Sequence, residues 1–210
     1  MSIIVDRFNK INSNIKKKNV NIIAVSKTFS YDHIKPLVDY GHSHFGENKV
    51  QEAESKWKNY KNDKIKLHLI GKLQSNKAKK AVELFDYVHS LDNPKLAITL
   101  SKFEHKLSKN LQYFIQVNVG SEVQKSGIPP SELDSFYTYC SKELKLNVIG
   151  LMAIPPNDGN EEKHFKYMYE ANVSLGLQDL SMGMSADYNL ALKYNSTFLR
   201  IGSSIFGKRD

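Results

Sequence analysis

Lys27 closes an apolar run. The stretch IIAVSKTFS covers residues 22–30, and Ile22, Ile23, Ala24 and Val25 lead directly into Ser26, Lys27 and Thr28. A lysine at the mouth of a hydrophobic strand has two readings. Its stem can lie on apolar surface while the ammonium reaches water. Alternatively, partial desolvation leaves the amine neutral often enough to add to a carbonyl and form a Schiff base. Two later stretches bear on the choice. LSMGMSAD (180–187) sets Gly183 and Ser185 after one apolar run, and RIGSSIFG (200–207) sets Gly202, Ser203 and Ser204 after another. Small residues let backbone approach an anion, and amides at a helix start point toward it. Either loop alone is also ordinary turn chemistry. Placed on one rim with Lys27, they match what pyridoxal 5′-phosphate requires, an amine for its aldehyde and a cradle for its phosphate.

Such a rim needs elements to build it. Eight short apolar runs alternate with helical patterns, at 21–26, 42–46, 64–71, 87–91, 111–119, 146–154, 179–183 and 197–202. Between them, Leu96, Leu100, Phe103 and Leu107 share one helical face. So do Leu133, Phe136, Tyr137, Cys140 and Leu144, with Ser131 expected as the N-cap. Phe165, Met168, Tyr169 and Val173 make a third such face. Eight strand–helix alternations predict a parallel sheet, closed as a (β/α)8 TIM barrel. An open doubly wound sheet is the alternative, but no G-x-G-x-x-G follows the first strand. The chain is expected to be a single α/β domain over 1–210, with an extra N-terminal helix in 1–19 and the barrel in 20–210. Barrel function collects where strands end. That rim gathers Lys27, Asn48, the segment GKLQSNK, Asp92, Asn118, LMAIPP and the two glycine–serine loops. Asp187 is expected at a helix start, with a favourable dipole interaction.

Composition narrows the function classes. The 210 residues carry a net charge of +8 and a pI near 9.3. Lysines are scattered, and aromatics do not interleave with the short basic runs as a base-stacking platform needs, so no nucleic acid is expected. No apolar run approaches the ~20 residues of a membrane span, and the first residues do not read as a signal peptide. The single cysteine, Cys140, excludes an internal disulfide and reads as a small buried hydrophobe. A cytoplasmic protein is expected. His42 and His44 fall on one face of the second strand, but two histidines without a third ligand do not make a zinc site.

The segments AVSKT, FGENKVQEAESK, HLIGKLQSNKAKK, VNVGSEVQKSGI, GLMAIPP, LSMGMSADY and FLRIGSSIFGKRD occur in this order. Together they resemble the pyridoxal phosphate homeostasis protein family, which is similar to the N-terminal barrel of alanine racemase standing alone. The likeness runs from about residue 22 to the last residue. It implies that Lys27 carries pyridoxal 5′-phosphate covalently and that Arg200 partners the pyridine nitrogen. It further implies phosphate contacts at Ser185, Gly202 and Ser203, and a pocket-lining role for Asn48. His68 and Lys72 are expected on the open side of the pocket. Racemases of this barrel use a second base, a tyrosine from an added domain of a neighbouring subunit. This chain stops just past the last barrel motif, and none of its 11 tyrosines can be assigned that role.

The resemblance therefore implies a non-catalytic, monomeric carrier or buffer that serves apo-enzymes dependent on the cofactor. The alternative is an amino-acid racemase-like enzyme. A protein of anionic surfaces is a third reading, motivated by charge alone.

Overall fold

The run Ile22–Val25 becomes the buried part of β1 (Asn21–Val25), and the seven other runs supply one strand each. These are β2 (His44–Glu47), β3 (Lys66–Leu69), β4 (Tyr87–Leu91), β5 (Gln112–Gln116), β6 (Val148–Met152), β7 (Asp179–Met184) and β8 (Phe198–Ile201). The computed structural model describes residues 2–120, 122 and 124–208. Ser121, Val123, Arg209 and Asp210, which belong to two of the quoted motifs, lie outside the described residues. Each strand pairs in parallel with the next, and β8 returns to β1 with Asn21 opposite Phe198 and Ala24 opposite Ile201. The expected closed barrel is what the chain forms.

Parallel strands covered on both faces read as continuous apolar runs. Buried β4 and the last four residues of β1 and β5 show it. Inside the barrel, Ile23, Tyr87, Phe114, Met152 and Phe198 pack into one small cluster. The larger core lies between strands and the helices around them, with Phe45, Leu67, Trp57 and Phe165 fully buried in it.

Those helices are α2 (Tyr31–Asp39), α3 (Val50–Trp57), α4 (Ala78–Leu84), α5 (Pro94–Leu107), α6 (Leu133–Thr138), α7 (Glu161–Ser174), α8 (Tyr188–Lys193) and the short α9 (Ser203–Phe206). Ahead of them, α1 (Ile3–Asn14) buries Ile4, Val5, Phe8 and Ile11. Capping chemistry sets the bounds of α5. Asn93 accepts from the Leu96 amide at 2.9 Å, Pro94 fills the first helical position, and Ser108 ends the helix in the left-handed region at φ 49°.

Three local expectations are corrected. Ser131 caps nothing: Pro129 and Pro130 impose a tight 3-10 turn, Pro130–Glu132, and α6 starts behind it without a side-chain cap. Val173 is 57% exposed. The buried position goes to Asn172, whose amide donates to the Leu177 carbonyl at 2.9 Å and ties α7 to the turn before β7. His42 precedes β2 and packs against Phe8 and Phe45, whereas His44 turns toward His68 in the barrel interior. The two histidines do not share a strand face.

Candidate functional site

At the C-terminal ends of the strands a pocket of about 630 Å³ opens. Lys27, Asn48, Ser185, Arg200, Gly202 and Ser203 all line it, so the structure brings together the six residues expected to hold the cofactor. Lys72 and Lys125 line it as well. Among the described lining residues there is no carboxylate, so the wall is cationic. Lys72 therefore stands where it was expected. His68 does not: it is fully buried between strands, bonded to His44 and His89. Its alternation on β3 sends it into the barrel, not to the rim.

Two devices position Lys27. The first is a buried ion pair. Glu47 Oε1 accepts from Lys56 Nζ at 2.9 Å, Trp57 Nε1 at 3.0 Å and Ser26 Oγ at 2.7 Å. Lys56 Nζ also donates to the Ser26 carbonyl at 2.6 Å. One cluster thus holds the residue before Lys27 and the residue before Asn48. The second device is backbone strain. Thr28 sits at φ 71°, a conformation that β-branched residues rarely adopt. Its amide donates to Glu52 Oε1, which also takes Lys56 Nζ at 3.3 Å. The chain therefore turns sharply right after the half-buried lysine.

The opposite wall is glycine-dependent. Gly183 has φ +86°, and a Cβ there would stand 2.7 Å from Ala191 Cβ and 2.9 Å from Tyr188 Cα. Only glycine lets α8 sit this close to β7. Asp187, at the N-cap of α8, uses its side chain backwards, accepting from the Met184 amide at 2.6 Å. Buried Gly202 is the N-cap of α9, and it lines the pocket together with Ser203, the first residue of that helix. The Ser204 amide donates to Ser185 Oγ at 3.5 Å, linking the loops after β7 and β8. On a third side, Asn118 and Gln116 bond the loop after β5 back onto the rim, through the Glu122 and Ser126 carbonyls.

Arg200 forms the floor. It is 4% exposed, and its Nη1 donates to the Ser181 carbonyl at 2.7 Å and Ser181 Oγ at 2.5 Å. Its Nη2 donates to the Ala153 carbonyl at 2.9 Å. Among the described residues no carboxylate pairs with it. Burial pushes its pKa down to about 10, with Asp187 acting in the opposite sense, so the guanidinium stays charged at neutral pH.

The Glu47–Lys56–Trp57 cluster and Ser181 escaped the sequence reading. A carboxylate inside the apolar FGEN, and Glu52 and Lys56 four apart on one helix, were the signals for the first. Among the described residues, no three His, Cys, Asp or Glu side chains gather to hold a metal ion. No described helix is long and apolar enough to cross a membrane.

Residues 2–210 match the family described as alanine racemase, N-terminal domain. The pyridoxal phosphate homeostasis protein of Vibrio alginolyticus is 38% identical over 205 residues, covering 92% of this chain and 88% of that protein. Solved structures of PipY from Synechococcus elongatus are similar throughout. The form without pyridoxal phosphate gives a TM-score of 0.91 at 34% identity, covering 97% of this chain and all of that one. The form with pyridoxal phosphate bound gives 0.88 at 33% identity, with the same coverage.

Proposed function

Because this chain belongs to the pyridoxal phosphate homeostasis proteins, within the alanine racemase N-terminal domain family, we propose that it holds pyridoxal 5′-phosphate in the rim pocket and serves as a carrier or buffer of it. In this reading Lys27 Nζ takes the aldehyde carbon covalently. The loop residues Ser185, Gly202 and Ser203 receive the phosphate, Asn48 lines the ring, and Arg200 faces the ring nitrogen.

The residues present suit such a group. The wall offers one amine on a strained turn, small-residue loops joined across the phosphate side, and, among its described lining residues, no carboxylate. At Gly71, a Cβ would come within 2.4 Å of the Asn48 carbonyl oxygen, so the pocket wall beside Asn48 has room only for glycine. When bound, the cofactor supplies an electron-withdrawing ring that is strongest with a proton on its nitrogen.

The observation that carries the non-catalytic reading is Arg200. Its charge is held by two carbonyls and a hydroxyl. A permanent cation facing the ring nitrogen opposes a proton there. The site then retains the cofactor while withholding the stabilisation that amino-acid chemistry needs. Apo-enzymes that require the cofactor are the recipients in this proposal, and the carrier acts as a monomer in the cytoplasm.

The test starts with the absorption spectrum of the purified protein. A yellow form that borohydride bleaches is expected, with the added mass on the peptide containing Lys27. An adduct on Lys72 or Lys125 instead would overturn the assignment. Lys27→Ala should lose the colour while still binding the cofactor through the phosphate loops. Deuterium exchange at the α-carbon of alanine should stay far below ordinary enzyme rates of about 1 s⁻¹. Exchange at that rate would favour the racemase-like alternative.

A further inference from the structure

Three histidines inside the barrel have no part in the function proposed above. His44 Nδ1 lies 2.9 Å from His68 Nε2, and His68 Nδ1 lies 2.9 Å from His89 Nε2. His89 Nδ1 lies 2.9 Å from Ser181 Oγ, the same oxygen that accepts from Arg200. The five residues stand on five different strands, β2, β3, β4, β7 and β8. His68, His89, Ser181 and Arg200 are all buried, and His44 is half-buried at the N-terminal end of its strand.

The direction of this chain can be derived. A guanidinium has donors and no acceptor. Ser181 Oγ must accept from Arg200, which leaves its own hydrogen for His89 Nδ1. His89 is then a neutral imidazole with its hydrogen on Nε2, donating to His68 Nδ1. His68 repeats the pattern and donates from Nε2 to His44 Nδ1. The reverse polarity would leave the buried Ser181 hydroxyl hydrogen without an acceptor among the described groups. Burial pushes the pKa of both His68 and His89 well below the usual histidine range. Neighbouring histidines add to this at His68, and the Arg200 charge adds to it at His89.

The polarity has an electrostatic consequence. Every hydrogen in the chain points away from Arg200, so each hydroxyl and imidazole presents its lone pair toward the guanidinium. Aligned dipoles in a poorly solvated interior reinforce one another. We propose that His89, acting through Ser181, is a positioning residue for Arg200. His68 and His44 complete one polarised chain that stabilises and orients the buried guanidinium in place of a carboxylate. The role of this chain in cofactor binding rests on the reading under Proposed function. The chain itself does not.

Two measurements test it. Ring-¹⁵N NMR of the protein without cofactor should report His68 and His89 as neutral tautomers with the hydrogen on Nε2 from pH 6 to 8. A hydrogen on Nδ1, or an imidazolium, at either residue would overturn the proposal. The second is a double-mutant cycle on pyridoxal phosphate affinity. His89→Leu and Ser181→Ala should each weaken binding roughly tenfold, the scale of a charge-assisted hydrogen bond. His89→Asn, which keeps an acceptor near the Nδ1 position, should recover most of that loss. In an Arg200→Gln background, His89→Leu and Ser181→Ala should have no further effect. Equal losses in both backgrounds would mean a merely structural role and overturn the proposal; Ser181→Ala decides this if His89→Leu does not fold. A parent protein that binds no pyridoxal phosphate would defeat the cofactor reading, and the NMR result would still decide the chain.

Discussion

Thr28 carries local strain in the service of Lys27. Holding a β-branched residue at φ 71° costs on the order of 1–3 kcal/mol, and the Glu52 carboxylate on its amide keeps it there. Thr28→Gly should raise stability by up to about 1 kcal/mol in urea unfolding while loosening cofactor retention, because glycine adopts this conformation freely. Unchanged retention would show that the turn does not aim the lysine. Arg200 offers a second test. Arg200→Glu should lower cofactor affinity and raise α-proton exchange in alanine, read by NMR, because a carboxylate favours a proton on the ring nitrogen. Lys27 was legible because an ammonium closing an apolar run is conspicuous in one dimension. The position of Arg200 came only through family likeness, since nothing in RIG says which side of a strand the arginine takes. Its partner Ser181 lies on a neighbouring strand, and spacing along the chain carries no record of that contact.

At the scale of elements, β1, β2 and α3 are joined by a buried ion pair whose members are 6% and 0% exposed. Removing one member leaves the other charge uncompensated, which typically costs 3–5 kcal/mol. Lys56→Met should therefore lower the urea midpoint sharply and weaken cofactor binding, whereas Lys56→Met combined with Glu47→Gln should recover much of the stability. A double variant as unstable as the single would point to lost packing instead of a stranded carboxylate. Strand number and the faces of α5 and α6 were legible because both follow from periodicity, and strand order followed from the strand–helix alternation. The start of α6 and the burial of Val173 were not. Two consecutive prolines overrode a plausible serine cap, and a side-chain bond to a distant carbonyl placed Asn172 inside where a hydrophobe was expected.

The whole molecule couples its stability to pH through buried imidazoles. Burial lowers the pKa of His42 to about 4 and moves His44, His68 and His89 in the same direction. Lys66 strengthens the effect at His44, and Asp86 opposes it. In the unfolded chain histidines titrate near 6.5. Below that pH the unfolded state binds more protons than the native one, so stability is full above about 6.5 and is lost as pH falls toward 4. His42 alone accounts for about 2 kcal/mol of loss by pH 5. Buried Glu104 and half-buried Asp179 have raised pKa values and act in the opposite sense, adding stability as pH falls toward the ordinary carboxylate range, so they offset part of the histidine loss. Urea midpoints at pH 7.5 and 5.0 should differ by several kcal/mol in unfolding free energy, and equal midpoints would contradict the neutral imidazoles. A different consequence comes from the seam where β8 returns to β1. Lys27 follows the first strand of the barrel, and Arg200 and Gly202 come with the last. A nascent chain emerging from the ribosome has the lysine early but lacks the floor and the glycine–serine loop until the final strand is made. Pairing so distant in sequence is slow to form. Under the proposed function, specific capture of the aldehyde waits for β8 to close on β1, and the onset of yellow colour in a freshly translated protein would time that closure.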